Sequence, residues 1–265
     1  MHELSFLYFG DIVGRPGRTF LTKYLPKLQS QYHPTFIFAN GENAAGGFGL
    51  TYSIAEELKR SGIHGISMGN HIWDQKGFWN EIDRMDYLCR PANLPEACPG
   101  KTYIVVENQS VKVALFGLLG RSFMNIPLNC PFKTAEKILK EIKARGIHNI
   151  IVDVHAETTS EKYALGWFLN KHAVTSVLGT HTHVQTADAH LMHQNTAFIT
   201  DLGMCGVARG ILGFRIEPVI EKLMCGKPTR FEVATGPSML NGVWVKFNAA
   251  HGQATHIEPI SIIET

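Results

Sequence analysis

Short apolar runs alternate with segments of helical period along most of this chain. Leu4 to Phe9 is nearly all apolar and breaks at Gly10-Asp11, as a buried strand running into a loop would. Pro16 opens a helical pattern that runs to about Tyr32, with Pro16 suited to the first turn and Pro26 expected to kink it. Thr35 to Ala39 predicts a second strand. Ser53-x-x-Glu56 has the form of a capping box and predicts a helix that Gly62 ends. Ile63 to Met68 predicts a third strand. Farther on, Lys133 to Arg145 is amphipathic and closes at Gly146. Asn149 to Val154 and Val174 to Leu178 then read as strands around a helix from Ser160 to Lys171. This alternation predicts an α/β protein with parallel strands.

Other segments lack the intervening helices. Tyr103 to Val106, Val111 to Phe116, Ala197 to Thr200, Phe231 to Thr235, Gly242 to Phe247 and Ala254 to Ile260 look like strands. They predict a second, more antiparallel sheet. The expected architecture is a two-sheet α/β sandwich, with mixed sheets flanked by helices. Neither an internal repeat nor a low-complexity linker divides residues 1–265, so a single domain is expected.

The polar residues that follow the apolar runs carry the chemistry. They are Asp11 in Phe-Gly-Asp, Glu42 and Asn43 in Asn-Gly-Glu-Asn, Asn70 in Gly-Asn-His, His155 in Asp-Val-His, and His181 and His183 in Gly-Thr-His-Thr-His. A lone His at a strand end is usually a surface or core residue. The ordered set of oxygen and imidazole donors is another matter, because it suffices for two cations. Glu42 is the candidate bridge. Asp11, His183 and Asn43 would complete the first metal; Asn70, His155 and His181 would complete the second. Two cations about 3.5–4 Å apart clamp a phosphoryl group and activate a bridging hydroxide as nucleophile. With Asp11, Glu42 and that hydroxide subtracted from two divalent ions, the core keeps a charge of about +1, suited to a phosphodiester. His71 would point away from the metals and protonate the leaving oxygen.

Composition narrows the partners. Net charge is +2 with neutral His, so no field argues for a long nucleic-acid groove or an anionic membrane. The expected partner is a small phosphodiester, with self-association into a homo-oligomer left open. Five Cys are widely spaced without a C-x-x-C pair, which favours free thiols over disulfides or a cysteine zinc site. No run approaches the roughly 20 apolar residues of a membrane helix, and the start lacks a basic region and a cleavage site. A soluble cytoplasmic protein is the default expectation.

These residues resemble the calcineurin-like metallophosphoesterases, with two departures. Val13 stands where that superfamily usually has a His, and Glu42-Asn43 stands where it usually has a bridging Asp. Both look like features of the YmdB-like 2′,3′-cyclic nucleotide phosphodiesterases of bacteria. So do Gly-Asp-Ile-Val-Gly-Arg-Pro-Gly-Arg (10 to 18), Asn-Gly-Glu-Asn-Ala-Ala-Gly-Gly (40 to 47), Gly-Asn-His-Ile-Trp-Asp (69 to 74) and Arg-Pro-Ala-Asn (90 to 93). Asp-Val-His-Ala-Glu-Thr-Thr-Ser-Glu-Lys (153 to 162) and Thr-Asp-Leu-Gly-Met-Cys-Gly (200 to 206) extend the resemblance nearly end to end. It implies the two-sheet sandwich of metallophosphoesterase type and a di-iron or manganese centre held by the residues above. It also implies Asn43 in place of the missing His, and His71 as proton donor. Nitrogen and oxygen donors alone also admit zinc.

Other residues have weaker claims. Arg15, Arg18, Arg90 and Arg121 could contact phosphate, though a solvated or salt-bridged Arg is the plainer expectation. Phe48, in a glycine-rich loop beside Glu42-Asn43, could stack on a base or pack on the protein. Glu157, Thr158 and Thr159 follow His155 closely and could support the ligands, and Asp74 could orient His71 or equally cap a helix. Trp73, Trp79, Trp167 and Trp244 read as core or interface residues. Two alternatives stand beside phosphodiester hydrolysis. One is a phosphomonoesterase or protein phosphatase on the same site; the other is a regulatory protein whose output depends on it.

Overall fold

The structure, a computed structural model, describes residues 3–264. Strand β1 (Glu3–Phe9) leads into the short β2 (Asp11–Ile12) and helix α1 (Gly14–Tyr32). Then come β3 (Phe36–Asn40), α2 (Tyr52–Arg60), β4 (Gly65–Ser67), the short α3 (Phe78–Glu81) and β5 (Leu88–Cys89). A hairpin of β6 (Ile104–Asn108) and β7 (Val111–Leu119) precedes α4 (Pro131–Ala144), β8 (Asn149–His155), α5 (Thr159–Lys171) and β9 (Ser176–Thr180). The chain closes with β10 (His190–Leu191), β11 (Ala197–Ile199), β12 (Met204–Val207), α6 (Ile216–Cys225), β13 (Ser238–Asn248) and β14 (Gln253–Ile263).

Two sheets result. The first runs β2-β12-β13-β1-β3-β4-β5, with β14 also paired to β13; the second runs β10-β11-β9-β8-β7-β6. Side-chain alternation explains the layers. On β1, Phe6 and Tyr8 face Leu115, Ile151 and Leu178 across the gap between sheets. Leu7 and Phe9 point outward and pack with Leu21 and Leu25 of α1 and Leu58 of α2. The second sheet repeats the pattern, with Phe116 and Val152 packed against Ile138 and Leu139 of α4 and Leu165 of α5. Central strands are therefore buried on both faces, which is why they read as continuous apolar runs.

Several expectations need correcting. The second sheet is mostly parallel: β7, β8, β9 and β11 run together, and only the edge strands β6 and β10 oppose them. The C-terminal β13 and β14 belong to the first sheet, where β13 lies antiparallel to β1 over seven pairs. Apolar alternation marks a strand but not its partner, so the assignment to sheets was not in the local pattern. Phe231 to Thr235 forms no strand, only a bridge of Val233 to Phe214. Helix α6 was not expected. Helix α2 is capped by Thr51, whose Oγ1 accepts the Ile54 N–H at 3.3 Å, so Ser53 lies inside it. Helix α1 begins at Gly14 and continues through Pro26. Of the core-or-interface reading, the core half does not hold for Trp79 and Trp167, which are about half exposed.

Candidate metal centre

Parallel strands put their carboxyl ends on one edge of a sheet, where ligands of α/β proteins gather. Here both sheets do so at the same place. Asp11 opens β2, Glu42 and Asn43 follow β3, and Asn70 follows β4; His155 ends β8, and His181 and His183 follow β9. All of them converge. His155 Nε2 lies 3.1 Å from Glu42 Oε1, 2.9 Å from Asn70 Oδ1 and 3.0 Å from His181 Nδ1. Donor atoms of Glu42, His155 and His181 all fall within 4.8 Å of one another. On the other side of Glu42 Oε1, the Asn43 amide nitrogen is 3.1 Å away and equally 3.1 Å from His183 Nε2. That His183 nitrogen is 3.9 Å from Asp11 Oδ1.

This donor set fits cations. Asp11 Oδ1 and Asn43 Oδ1 are buried without a hydrogen-bond partner. Leaving such atoms unsatisfied costs about 1–3 kcal/mol each. Each imidazole is tied by its outer nitrogen and presents the other inward. His155 Nδ1–H donates to Thr180 Oγ1 at 2.8 Å, and Thr180 Oγ1 donates to Asp153 Oδ1 at 2.6 Å. His181 Nε2 meets Glu157 at 2.9 Å, and His183 Nδ1–H donates to the Leu212 carbonyl at 3.1 Å. Outer-nitrogen partners of this kind fix the tautomer and orientation of metal-binding histidines.

Electrostatics shows the same tension. Burial would raise the Glu42 carboxyl, but the facing His155 outweighs it and holds Glu42 down at about 2. Burial pushes Asp11 up to about 6, against the pull of His183 and His155. Burial also disfavours the charged form of His155, yet Glu42 and Asp11 keep its pKa up at about 9. His181 is driven down to about 3, first by burial and then by His155. Without an ion, a proton on His155 offsets the carboxylates. A cation would take over that part and release the proton.

A further layer holds the ligands. Asp153 is fully buried and also accepts from Tyr8 Oη at 3.1 Å and Asn40 Nδ2 at 2.9 Å. Lys162, 1% exposed, reaches Asp201 at 2.7 Å, and Asp201 takes the Thr182 N–H at 3.0 Å. Thr182 sits between His181 and His183, whose φ values of 96° and 64° are unusual for residues with a side chain. Sequence reading gave Asp153, Thr180, Lys162 and Asp201 no role. The one local signal is Asp153 two residues before His155, on the same face of β8.

Over these ligands opens a cavity of about 270 Å³, walled by His71, Phe48, Leu212, Phe214, Phe231 and Glu157. His71 Nδ1 pairs with Asp74 at 2.7 Å, and its ring stands edge-on to Phe48 with centroids 5.0 Å apart. Phe48 also stacks on Phe214 at 5.2 Å, so it both packs on the protein and lines the cavity. Arg15 is not in this cavity. It stands exposed in the first turn of α1 and lines an adjoining cleft together with Ala45, Gly46 and Phe48 of the glycine-rich loop. Arg18 pairs with Glu57 at 3.3 Å, and Arg90 is buried against the Pro91 carbonyl.

The chain matches the model of the YmdB-like protein family over residues 7–260. It belongs to that family. It is 44% identical over 259 residues to a Bacillus subtilis (strain 168) protein named 2′,3′-cyclic-nucleotide 2′-phosphodiesterase, covering 98% of this chain and 97% of that one. A crystal structure described as a novel phosphatase from Mycoplasma pneumoniae superposes with a TM-score of 0.93 at 34% identity, covering 100% of this chain and 95% of that one. A 5′-nucleotidase precursor from Thermus thermophilus shares the fold at 15% identity, with a TM-score of 0.58 over 99% of this chain and 55% of that one. The expected two-sheet metallophosphoesterase architecture is thus borne out, and this family implies divalent metal ions, for which Glu42, His155 and His181 form a candidate site. No helix among the described residues is long and apolar enough to cross a membrane.

Proposed function

We propose that this phosphoester hydrolase opens 2′,3′-cyclic nucleotides at a centre for two divalent metals. The observation that carries the reading is the inward convergence of three tethered imidazoles, His155 and His181 on Glu42 and His183 on Asn43 and Asp11, beside the unpartnered oxygens of Asp11 and Asn43. Asp11, Asn43 and His183 would hold one ion; Asn70, His155 and His181 would hold the other; Glu42, which faces both groups, would serve both. Rotating the Asn43 amide by half a turn brings its oxygen to the position now held by nitrogen, beside Glu42 and His183. Iron is the first expectation, with manganese or zinc admitted by the same donors. Bound ions supply Lewis acidity to the phosphoryl group and lower the pKa of an attacking water.

The protein's own groups do the rest. Asp74 holds His71 by Nδ1, leaving Nε2 to give a proton to the departing ribose oxygen. The apolar wall of Phe48, Phe214, Leu212 and Phe231 excludes water and offers a face to the nucleoside. The substrate assignment is supported by the name of the Bacillus subtilis relative. A phosphomonoesterase is the second reading, favoured by the description of the Mycoplasma pneumoniae structure.

Hydrolysis of adenosine 2′,3′-cyclic phosphate and of adenosine 3′-phosphate, with metal content measured in each protein, separates the two. We expect turnover of the cyclic substrate to fall by roughly 10²–10⁴ in His71→Ala with metal retained. Glu42→Ala is expected to lose both metal and turnover. Metal-loaded protein that hydrolyses only the monoester would sink the phosphodiesterase reading.

A further inference from the structure

Beside the metal cavity lies a second cleft of about 550 Å³, sharing Phe48 and Phe231 with it as common walls. Its charged lining is cationic: Arg15 and Arg18 from the first two turns of α1, and Arg230 from the segment after α6, with Thr51 and Gln75 as neutral polar neighbours. Among the described residues no carboxylate side chain lines it. Arg18 is engaged by Glu57 and by the Ala44 carbonyl, but neither Arg15 nor Arg230 forms a salt bridge among the described residues. The loop between the two hollows is anchored. Gln75 Nε2 donates to the Ala45 carbonyl at 3.1 Å and the Phe48 carbonyl at 2.6 Å. At the loop's tip a Cβ on Gly46 would meet nothing within 4 Å, so the cleft is open on that side.

From this juxtaposition we infer that the arginine cleft binds a second phosphate of the substrate, the one on the 5′ oxygen of the nucleotide whose cyclic phosphate is opened. A free cyclic mononucleotide has one phosphate, and the metal centre takes it. Two uncompensated guanidiniums on the far side of an aromatic wall serve that substrate nothing. They suit a nucleotide that stacks on Phe48 and continues into the cleft, since guanidinium grips phosphate bidentately and aromatic rings hold bases regardless of sequence. The 5′ phosphate could come from a 5′-phosphorylated mononucleotide or from the internucleotide link at the 3′ end of an RNA. Both present the same group to the cleft. The inference rests on the phosphodiesterase reading for its reaction, but not for its binding.

The test compares kcat/KM for three substrates: adenosine 2′,3′-cyclic phosphate, the same compound with a 5′ phosphate, and an adenosine dinucleotide ending in the cyclic phosphate. We expect the second and third to exceed the first by about tenfold or more, chiefly through KM, with the advantage shrinking as salt rises. In Arg15→Ala and Arg230→Ala the ratio should fall towards one. A preference for the 5′-phosphorylated mononucleotide alone assigns the cleft to a terminal phosphate; a preference shared by the dinucleotide assigns it to RNA ends. Equal kcat/KM for all three in the wild type, or a ratio unchanged in both variants, overturns the inference. Equilibrium binding of adenosine 3′,5′-bisphosphate against adenosine 3′-phosphate is read in parallel. If no cyclic substrate turns over, the phosphodiesterase reading fails, and this binding ratio decides the cleft by itself. Tighter bisphosphate binding that is lost in the arginine variants keeps the cleft as a phosphate site, and equal binding removes it.

Discussion

Gly69 shows how little room the site leaves at the scale of one residue. A Cβ there would lie 2.0 Å from Glu42 Oε2 and 2.4 Å from His155 Nε2. Neither atom can retreat, since both are fully buried and face each other. Gly69→Ala should therefore push the carboxylate and imidazole apart and lower bound metal severalfold while the far-UV spectrum stays native. Full metal content in that variant would show that the centre tolerates the displacement. A different residue-scale argument concerns Lys162. Its ammonium is buried against Asp201, and removing one partner of such a pair strands the other charge. Lys162→Met should cost about 3–5 kcal/mol in urea unfolding. A loss under about 1 kcal/mol would mean that the N–H and O–H donors of Thr182 and the Gly203 N–H suffice for Asp201.

At the scale of elements, the site depends on how strands are held side by side. His64 enters β4 and clasps β3 from both directions: its N–H donates to the Ile37 carbonyl at 2.8 Å, and its Nδ1 accepts the Ile37 N–H at 2.9 Å. Nδ1 can accept only while unprotonated, and burial lowers the His64 pKa below that of a free imidazole. Above about pH 6.5 both the folded and unfolded chains carry a neutral ring, and the clasp contributes fully. Below it the unfolded chain binds the proton first, so this contribution is lost as pH falls towards the lowered folded value. Unfolding at pH 7.5 and 5.5 should show a smaller acid loss in His64→Gln than in the wild type; equal losses would remove the clasp from the account. The longer strands were legible because apolar runs and Gly breaks are local, but Phe231 to Thr235 was misread as a strand and the short β2, β5, β10 and β12 were not expected. The Thr51 cap was not legible, because Ser53-x-x-Glu56 has the capping-box form and Thr51, followed three residues later by Ile54, does not; the chain's path into α2 makes Thr51 the cap all the same.

Over the whole molecule, the ends of the chain are interlocked. The N-terminal β1 pairs with the C-terminal β13, and β12 joins β2 to β13 at the same edge. Neither half can complete the first sheet alone, so we propose that residues 1–265 unfold as one domain in a single cooperative transition. Metals held as proposed would couple to that transition, since the proposed ligands come from both sheets. Chelation should lower Tm, because an ion at 100 times its Kd stabilises the folded state by about 2.7 kcal/mol. In Glu42→Ala the chelator should change little. Two separate calorimetric transitions would refute the single unit, and a wild-type Tm indifferent to chelator would refute the coupling.

The sequence by itself determined which candidate donors stand at the strand ends and most of the alternation of strand and helix. Both are carried by short motifs: an apolar run, a break, and a donor. Family membership also followed from motifs that survive without coordinates. Only the tertiary structure decided which sheet each late strand joins, that Asp153 with Thr180 and Lys162 with Asp201 brace the candidate ligands, and that Arg15 stands in a cleft beside the cavity over them. The physical reason is range. A motif reports what one segment can form, whereas sheet partners, buried charge pairs and shared walls are agreements between segments far apart in the chain.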